Sequence, residues 1–389
     1  MNPEIQLNQI LTRFKSSKEK KLYLHDPFLK PNYIQNVESC IKNNEISAAG
    51  SFVSKFEIGI AKVCEKDFAI SLNSGTSALH LALIALGIKQ GDEVFIPNLT
   101  FVATANAVKY CGATPHFVEI EAETFGIDVD KLEDYINKSC VYKSNILTNR
   151  KTGNRITALI GVYVFGKAYD AKRVSMLAKK YSLIYIEDAA GALGTKTKKR
   201  SVGNEADAII FSFNGNKIIS TGNGGMVLTS NEMIKKRIEH LKTTAKIKSI
   251  TQFSHDDIGY NYRLSNINAA IGCAQLEDLD EIILKKRNIM REYKKVFEGN
   301  DYFTFLYRSD FEESNNWLNS IMLSKSILTH KENLIKSLDD NGIEIRPAWN
   351  LLSTLKPFRT CPAMHTPVGK DIQERIINLP SGSGVKIAK

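Results

Sequence analysis

A single lysine lies in a segment rich in glycine, asparagine, serine and threonine. The segment reads SFNGNKIISTGNGGM, from Ser212 to Met226, with the lysine at position 217. It follows DAIIFSF, an apolar run typical of a buried strand, which would deliver Lys217 to the edge of a sheet. Taken alone, a lysine is most often a solvated surface cation. Delivered to a sheet edge, its amine can instead act as a nucleophile toward a carbonyl group.

A second candidate is a carboxylate pair at the end of another apolar stretch. Glu187 and Asp188 stand in YIEDAAG, where SLIYIED ends. Burying a charge there costs free energy unless it meets a partner, so such an acid commonly serves a ligand, a metal or a helix start. No histidine or cysteine stands nearby to indicate a metal. Asp188 therefore either binds a ligand or caps the next helix.

A third candidate is the turn in SLNSGTSALHLALIALG, where a strand ends at Leu72 and a helix begins near Thr76. Free backbone N–H groups at a helix start, with Ser and Thr hydroxyls beside them, form a site suited to phosphate. The same Gly-Thr-Ser sequence also fits plain N-capping. The nucleotide-binding patterns GxxxxGK[ST] and GxGxxG are both absent from the sequence.

Short apolar runs alternate with amphipathic stretches from about residue 67 to 230, which predicts strands alternating with helices. The predicted helices lie in TSALHLALIALG, FVATANAVKYCG, DKLEDYIN and DAKRVSMLAKKY. Such alternation predicts a largely parallel sheet with helices on both faces, and ligands of these sheets bind at the carboxyl ends of the strands. The predicted strands are Phe68–Leu72, Glu93–Pro97, Thr114–Ile120, Ile156–Phe165, Ser182–Asp188, Asp207–Phe213 and Gly225–Ser230.

The three candidates would therefore meet at one rim of the sheet. A phosphate site around Ser74–Thr76, the carboxylate of Asp188 and the amine of Lys217 match the needs of one cofactor. Pyridoxal 5′-phosphate requires a lysine for covalent attachment, an anion for its ring nitrogen and donors for its phosphate. The sequence thus predicts a pyridoxal phosphate site.

The second half of the chain predicts a smaller mixed domain. A helical stretch runs from Ser265 to about Glu298, followed by a strand at Trp317–Ser324, a helix at His330–Gly342 and a strand in IEIRP. A chain of 389 residues is longer than one core usually organises. We predict a large domain over residues 1–250 and a small one over 251–389, with the boundary in the polar segment around KIKSITQFSHDD.

The composition excludes several classes of protein. The formal net charge is +10, but the densest basic cluster, TKTKKRS at Thr195–Ser201, is short and lacks interleaved aromatics, which disfavours nucleic-acid binding. The basic balance suits an anionic small substrate instead. Six scattered cysteines form no CxxC pair, and no apolar stretch approaches the roughly 18 residues of a membrane span. We expect a cytoplasmic protein that binds neither metal, nucleic acid nor membrane.

The ordered motifs resemble the sugar-nucleotide aminotransferases of the DegT/DnrJ/EryC1/StrS family, within fold-type I of the pyridoxal phosphate enzymes. The resemblance extends from EISAAGSFVSKFE to RIINLPS. It implies a mostly parallel seven-stranded α/β sheet flanked by helices, with a smaller C-terminal α+β domain. The motifs are NSGTSALHLAL, GDEVFIPNLTFVATANAVKYCGATPHFVE, EDAAGALGT, FSFNGNKIISTGNGGMV, GYNYRLSNINAAIGCAQLE and RPAW.

The resemblance implies a role for each matching residue. Lys217 would bind the cofactor covalently and act as the general base, and Asp188 would pair with its ring nitrogen. The segment GYNYR would reach the neighbouring subunit, so that Asn261 touches the phosphate there, with Arg263 close by, in a homodimer with shared sites. The remaining cofactor-binding residues would be Gly75, Thr76, Ser77 and Ser212 around the phosphate and Phe101 on the ring.

Three positions depart from the family pattern. Gly191 stands where relatives commonly have Gln, Glu or His near the ring, so that contact must be absent or supplied elsewhere. Tyr163 and Ala168, in GVYVFGKAYD, replace a His and a Pro of many relatives. None of these changes affects Lys217 or Asp188, but they bear on the identity of the sugar.

Within the family, HLKTTAKI, NNWLN and RPAWNLL favour the branch that makes 4-amino-4,6-dideoxy sugars from UDP-linked substrates. We therefore expect transfer of the amino group of L-glutamate to a UDP-linked 2-acetamido-4-keto-6-deoxyhexose, for surface polysaccharide or lipopolysaccharide. Arg346 and Lys246 are candidates for the substrate diphosphate. The alternatives are a 4-aminotransferase on GDP-4-keto-6-deoxymannose, a 3-aminotransferase on a dTDP-3-keto-6-deoxyhexose, a dehydratase that Lys217 disfavours, and a non-catalytic protein retaining the fold.

Overall fold

The computed structural model describes residues 2–16, 20–197, 200–307 and 314–387, and strands build two main sheets within it. Most strands of the large sheet are short runs rich in Ile, Val, Phe and Leu, and these strands are buried. The strands are β1 Phe68–Leu72, β2 Glu93–Pro97, β3 Thr114–Val118, β4 Cys140–Lys143, β5 Ile146–Asn149, β6 Arg155–Val162, β7 Ile184–Asp188, β8 Lys196–Thr197, β9 Arg200–Ser201, β10 Ala208–Ser212, β11 Gly225–Thr229, β12 Phe303–Phe305, β13 Asn319–Leu323, β14 Arg346–Pro347 and β15 Ile376–Leu379.

The large sheet has the order β1-β11-β10-β7-β6-β2-β3, with β4 and β5 extending beside β6. The pairs β10–β7, β7–β6, β6–β2 and β2–β3 are parallel, whereas β11 runs antiparallel to both of its neighbours. This path confirms the predicted seven-stranded, mostly parallel sheet. Lys196–Thr197 and Arg200–Ser201 form a separate two-stranded ribbon; Lys198 and Lys199 of the predicted basic cluster lie outside the described residues.

The helices cover the large sheet and join its strands. Helix α4 follows β1, α5 follows β2, and α7 connects β6 to β7, as expected for crossovers between parallel strands. The helices are α1 Pro3–Thr12, α2 Ile34–Lys42, α3 Ser51–Val63, α4 Gly75–Ala85, α5 Ala103–Tyr110, α6 Val129–Ser139, α7 Ala171–Lys180, α8 Glu232–Leu241, α9 Asn266–Glu277, α10 Leu279–Phe297, α11 Lys331–Asp340 and α12 Pro367–Arg375.

A second sheet, ordered β12-β13-β15-β14, organises a second hydrophobic core. This core includes Ile321 and Ile377 of the sheet and Tyr293 of α10. It also includes Leu7 and Leu11 of α1, so the N-terminal helix packs with the C-terminal part of the chain. The large sheet and its helices form the first core. A domain boundary at residues 250/251 stays a prediction.

The predicted helix from Ser265 to Glu298 is two helices, α9 and α10, with a break at Asp278. The Asp278 carboxylate accepts a hydrogen bond from the Tyr33 hydroxyl at 2.6 Å and pairs with Lys30 at 2.9 Å. Contacts with a distant segment thus hold an acid at the junction, where the next helix start favours negative charge. The apolar spacing, which continues through the break, does not reveal it.

Two details of the predicted strands were also wrong. The strand predicted to end at Phe165 ends at Val162, and Phe165 adopts a left-handed conformation with φ of 57°. The hairpin β4–β5 was not predicted. Its turn residues Ser144 and Asn145 have φ of 50° and 59°, the left-handed pair that a two-residue hairpin turn requires.

Among the described residues, no helix is both long and apolar enough to cross a membrane, and no group of three or more His, Cys, Asp or Glu side chains is placed to hold a metal ion.

Candidate active site

The ends of strands β1, β7 and β10 lie at one edge of the large sheet. Asp188 ends β7 and pairs in register with Ile210 of the parallel strand β10, which ends two residues later at Ser212. Strand β1 lies across β11 from β10, and helix α4 starts three residues after it at Gly75. The sheet order therefore brings the acid, the lysine loop and the helix start to the same rim, as the sequence predicted.

Asp188 is buried and fixed by two hydrogen bonds. Its Oδ2 accepts a hydrogen bond from Thr104 Oγ1 at 2.7 Å, and its Oδ1 accepts one from the Ala190 backbone N–H at 3.2 Å. Burial raises the pKa of the Asp188 carboxyl above its ordinary value, while these two bonds and the Lys217 charge oppose the rise. A cation bound beside the carboxylate would complete its pairing.

Lys217 lies in the loop between β10 and β11, where its backbone N–H donates to the Asn214 carbonyl at 2.9 Å. Its side chain is half-buried, and its Nζ lies 3.7 Å from the ring centroid of Trp317. Loss of solvation lowers the pKa of Lys217 to about 8, against the opposing attraction of Asp188. About a tenth of such amines are neutral at pH 7, compared with under about 0.1% for an ordinary lysine.

The start of α4 packs unusually close to the strand ends. A Cβ at Gly75 would lie 2.9 Å from Ser212 Cβ, and a Cβ at Gly225 would lie 2.5 Å from the Gly75 nitrogen. Glycine at both positions lets the helix start approach β10 and β11. The first amides of a helix, here those of Gly75 and Thr76, have no acceptor within it and can bind an anion.

N-capping, one of the two interpretations of this helix start, is confirmed for Ser74. Ser74 caps α4, because its Oγ accepts a hydrogen bond from the Ser77 N–H at 3.1 Å. The Ser77 hydroxyl donates to Asn73 Oδ1 at 2.7 Å. Capping orients Ser77 and leaves the amides of Gly75 and Thr76 available to a phosphate. Phosphate binding by Gly75, Thr76, Ser77 and Ser212 stays a prediction.

Phe101 stands at the open side of this rim. Its side chain is 54% exposed, and its ring centroid lies 5.9 Å from that of Trp349, in the RPAWNLL motif. Its carbonyl accepts a hydrogen bond from the Thr104 N–H at 3.3 Å, so one turn of backbone links Phe101 to the residue that holds Asp188. An exposed aromatic ring at this place is consistent with the predicted packing on a cofactor ring.

The space beside Gly191 is filled by Trp317. A Cβ at position 191 would lie 2.2 Å from Trp317 Cε3, so the indole occupies the place where relatives carry a side chain. The indole N–H donates to the Asn216 carbonyl at 2.6 Å, which fixes the ring beside Lys217. Trp317 therefore fills the space that the missing side chain of Gly191 leaves.

The two neighbouring carboxylates, Glu187 and Asp188, lie in different environments. Glu187, adjacent to Asp188 on β7, accepts a hydrogen bond from the Tyr163 hydroxyl at 2.6 Å within the core. Burial raises the pKa of Glu187 to about 7, and the Tyr163 bond opposes the rise. Tyr163, which replaces a His of relatives, thus partners Glu187. Ala168, which replaces a Pro of relatives, is buried.

The structure does not bring Asn261 into this cluster. Asn261 and Arg263 are exposed and line a pocket of about 640 Å³ together with Thr243, Thr244, Lys246, Lys248, Ser249 and Ile250. Lys246 Nζ lies 4.1 Å from the ring centroid of Phe253 in this region. Arg346 instead pairs with Glu344 at the surface. The two candidates for the diphosphate therefore lie in different surroundings.

Sequence reasoning missed two residues of the site, Thr104 and Trp317. Thr104 carries a weak signal, since it is a hydroxyl one turn after Phe101 in NLTFVAT. Trp317 was assigned to a strand over Trp317–Ser324, but the strand begins at Asn319 and leaves the indole free to pack on Gly191. The missing side chain at Gly191 was the signal that a large residue had to come from elsewhere.

Comparisons with known proteins agree with this geometry. A model of the DegT/DnrJ/EryC1/StrS aminotransferase family matches residues 27–389. GDP-perosamine synthase of Escherichia coli O157:H7 is 37% identical over 362 residues, which are 93% of this chain and 93% of that protein. UDP-4-amino-4,6-dideoxy-N-acetyl-β-L-altrosamine transaminase of Campylobacter jejuni subsp. jejuni serotype O:23/36 (strain 81-176) is 36% identical over 304 residues, covering 78% of this chain and 77% of that protein.

The fold is likewise shared with a solved structure. Helicobacter pylori PseC, an aminotransferase involved in the biosynthesis of pseudoaminic acid, superposes with a TM-score of 0.82 at 26% identity, covering 93% of this chain and 94% of that one. These findings confirm the predicted family, the fold class, the aminotransferase assignment and the pyridoxal phosphate cofactor. They show a sugar-nucleotide aminotransferase of polysaccharide biosynthesis.

Proposed function

Because the chain belongs to the DegT/DnrJ/EryC1/StrS aminotransferase family, we propose that it transfers the amino group of L-glutamate to carbon 4 of a nucleotide-linked 4-keto-6-deoxyhexose. The observation that carries the catalytic part is the placement of a half-buried lysine, with a pKa of about 8, and a buried aspartate at the same sheet edge. A lysine with a lowered pKa and a carboxylate that lacks only a cation are what amino transfer with pyridoxal phosphate requires.

The residues present fit this cofactor. Its phosphate would be held by the amides of Gly75 and Thr76, at the helix start that glycines bring against Ser212. Asp188 would bind its protonated ring nitrogen, since Thr104 and Ala190 hold the carboxylate in place. When bound, the cofactor supplies an electron-accepting ring that stabilises negative charge at the carbon losing a proton.

Lys217 would move the proton in each half-reaction. A base must be uncharged to accept a proton, and the lowered pKa gives a useful neutral fraction near neutral pH. The Nζ lies beside the indole of Trp317, which the hydrogen bond to the Asn216 carbonyl keeps in position. In our proposal Lys217 takes the α-proton of glutamate, and in the reverse direction delivers a proton to carbon 4 of the sugar.

The motifs that favour a UDP-linked 2-acetamido-4-keto-6-deoxyhexose supply side chains to the site. NNWLN places Trp317 beside Lys217, and RPAWNLL places Trp349 beside Phe101. The similarity to the transaminase of Campylobacter jejuni, which is named for a UDP-linked amino sugar, supports this substrate. We therefore keep the UDP-linked sugar as the first candidate.

A second candidate has a specific observation in its favour. GDP-perosamine synthase of Escherichia coli O157:H7 is similar over 93% of this chain, a longer match than the UDP-sugar transaminase gives. Perosamine is itself a 4-amino-4,6-dideoxy sugar, so both candidates share the keto carbon and differ in nucleotide and in the substituent at carbon 2. GDP-4-keto-6-deoxymannose is accordingly the alternative substrate.

Incubation of the holoenzyme with L-glutamate and defined keto sugars tests this proposal. We expect formation of 2-oxoglutarate and a 4-amino sugar with the UDP-linked 2-acetamido-4-keto-6-deoxyhexose, identified by mass and by proton NMR at carbon 4. GDP-4-keto-6-deoxymannose and a dTDP-3-keto-6-deoxyhexose are the comparison substrates. Faster amination of the GDP sugar selects the second candidate, and amination only of the 3-keto sugar contradicts the proposal.

The proposal includes a homodimer with shared sites. Asn261 and Arg263 line a pocket with Lys246 and its neighbours, and the carbonyl of Tyr262 between them accepts a hydrogen bond from the Asn73 N–H at 2.8 Å, just before α4. The adjoining segment exposes Ile250, Phe253 and Ile258, whose side chains are 105%, 88% and 78% accessible. Exposed apolar side chains in one segment are typical of a surface that contacts another protein. In our proposal a second copy of the chain binds here, and Asn261 of one subunit then reaches the cofactor phosphate in the other.

Mixing two inactive variants tests the shared site. Lys217→Ala removes the base and Asn261→Asp adds a negative charge where the phosphate of the other subunit would lie. Co-expressed in equal amounts, they should recover about a quarter of wild-type activity, because half of the dimers are mixed and each mixed dimer has one intact site. Activity no higher than that of the separate variants would show that each chain builds its own site.

A further inference from the structure

His25 is a half-buried residue whose imidazole nitrogens are buried, and the proposed reaction does not yet use it. It lies in the segment LYLHDPF, and both of its ring nitrogens are buried without a hydrogen-bond partner among the described residues. An unpaired polar atom in the interior costs stability, because the group has lost water and gained nothing in return. A ligand bound beside the ring would supply the missing partner.

The backbone around His25 is held on both sides. The Leu24 carbonyl accepts a hydrogen bond from the Ser381 N–H at 2.7 Å, and the Leu24 N–H donates to Glu344 Oε2 at 3.1 Å. On the other side, the Asp26 carboxylate accepts one from the Gly384 N–H at 3.3 Å. These contacts hold the backbone from which the imidazole of His25 projects.

A buried lysine connects this segment to the wall of the active site. Lys286 is fully buried, and its Nζ donates to the Trp317 carbonyl at 2.8 Å and also to the Ser381 carbonyl. Ser381 is the residue that binds the Leu24 carbonyl. The N-terminal segment and the backbone of Trp317 therefore share one support, and the indole of Trp317 lies on Lys217.

The charges of Lys286 and Lys217 both act on His25. Burial lowers the pKa of His25 well below its ordinary value, and the positive charges of Lys286 and Lys217 lower it further. The ring is therefore neutral near pH 7 and offers one N–H donor and one acceptor nitrogen. That pair suits an uncharged hydroxyl or carbonyl group better than a carboxylate.

We propose that His25 binds a hydroxyl or carbonyl oxygen of the keto sugar and so contributes to substrate specificity in the second half-reaction. The inference rests on the proposed function, since it takes the acceptor to be a nucleotide-linked keto sugar. L-Glutamate offers two carboxylates and an amino group, which call for charged partners. The hexose ring offers uncharged oxygens, which match the neutral imidazole.

Half-reactions measured separately on the holoenzyme test this role. With His25→Leu, we expect an unchanged rate of cofactor conversion by L-glutamate. The value of kcat/KM for the keto sugar should fall about 10- to 100-fold, as for loss of one or two buried hydrogen bonds. His25→Gln, which keeps a donor and an acceptor, should recover part of the loss. Calorimetric affinity for the aminated nucleotide sugar should fall in parallel.

The controls separate this inference from the proposed function. His365→Leu alters an exposed histidine and should leave both half-reactions unchanged. If His25→Leu and His25→Gln slow the glutamate and sugar half-reactions equally, or leave kcat/KM and affinity for the sugar at wild-type values, the role of His25 is overturned. Failure of the proposed function appears instead in the wild-type enzyme, as loss of glutamate turnover or absence of any aminated 4-keto sugar.

Discussion

Lys217→Ala is expected to abolish amino transfer and the covalent attachment of pyridoxal phosphate together. The amine is half-buried beside Trp317, and burial lowers its pKa to about 8, so the residue supplies both the nucleophile and the base. Losing a general base alone reduces a rate by roughly 10²–10⁴-fold. We expect a larger loss here, because two functions disappear with one side chain. Steady-state rates and the visible absorbance of purified protein measure both effects.

The control for Lys217 is a lysine in no described contact. Lys336→Ala removes an exposed amine on α11 and should change neither absorbance nor rate. Thermal unfolding of both variants shows whether the loss is chemical or structural. Activity within tenfold of wild type in a folded Lys217→Ala protein would contradict the assignment of the base.

Asp188→Asn is expected to lower the rate by about 10²–10³-fold, as for removal of one preorganised electrostatic contact. The amide oxygen can still accept the hydrogen bond from Thr104 Oγ1, so the packing around position 188 should persist. A neutral amide cannot hold the ring nitrogen of the cofactor in its protonated form. We therefore expect bound cofactor with a slow glutamate half-reaction, measured by absorbance after mixing.

Asp340→Asn serves as the matched control, since Asp340 is an exposed acid at the end of α11. It should behave as wild type in the same assay. A rate for Asp188→Asn equal to that of the control, with cofactor bound, would remove Asp188 from its proposed role.

The sequence predicted the parts of this site that depend on local pattern. Asp188 and Lys217 each follow an apolar run that forms a parallel strand, and sheet topology then requires their ends to lie at one edge. Gly75 was predictable for the same reason, as it stands between a strand and an amphipathic helix. In each case the neighbouring residues determine the local structure.

Contacts between distant segments were beyond prediction. Trp317 reaches Gly191 from more than a hundred positions away, and Lys286 joins Trp317 to the segment of His25. The break at Asp278 likewise depends on Lys30 and Tyr33 at the other end of the chain. Periodicity records which face of an element is buried, but not what covers it.

The lack of a side chain at Gly191 gave information about the packing of the site. Gly191 departs from relatives, and a Cβ there would collide with the indole of Trp317. The two positions thus form one arrangement, in which a tryptophan from the C-terminal part of the chain replaces a polar side chain from the EDAAG loop. A departure from a family pattern is best interpreted together with the residue that fills its space.

Reduction of the holoenzyme with borohydride, followed by peptide mapping, tests the central claim most directly. This treatment makes any cofactor–lysine bond permanent, so the mass of the modified peptide identifies the attachment residue. We predict that the cofactor mass appears on the peptide containing Lys217 and disappears when L-glutamate is added before reduction. Labelling of another lysine, or an unmodified Lys217 peptide from a yellow, active enzyme, would contradict the account.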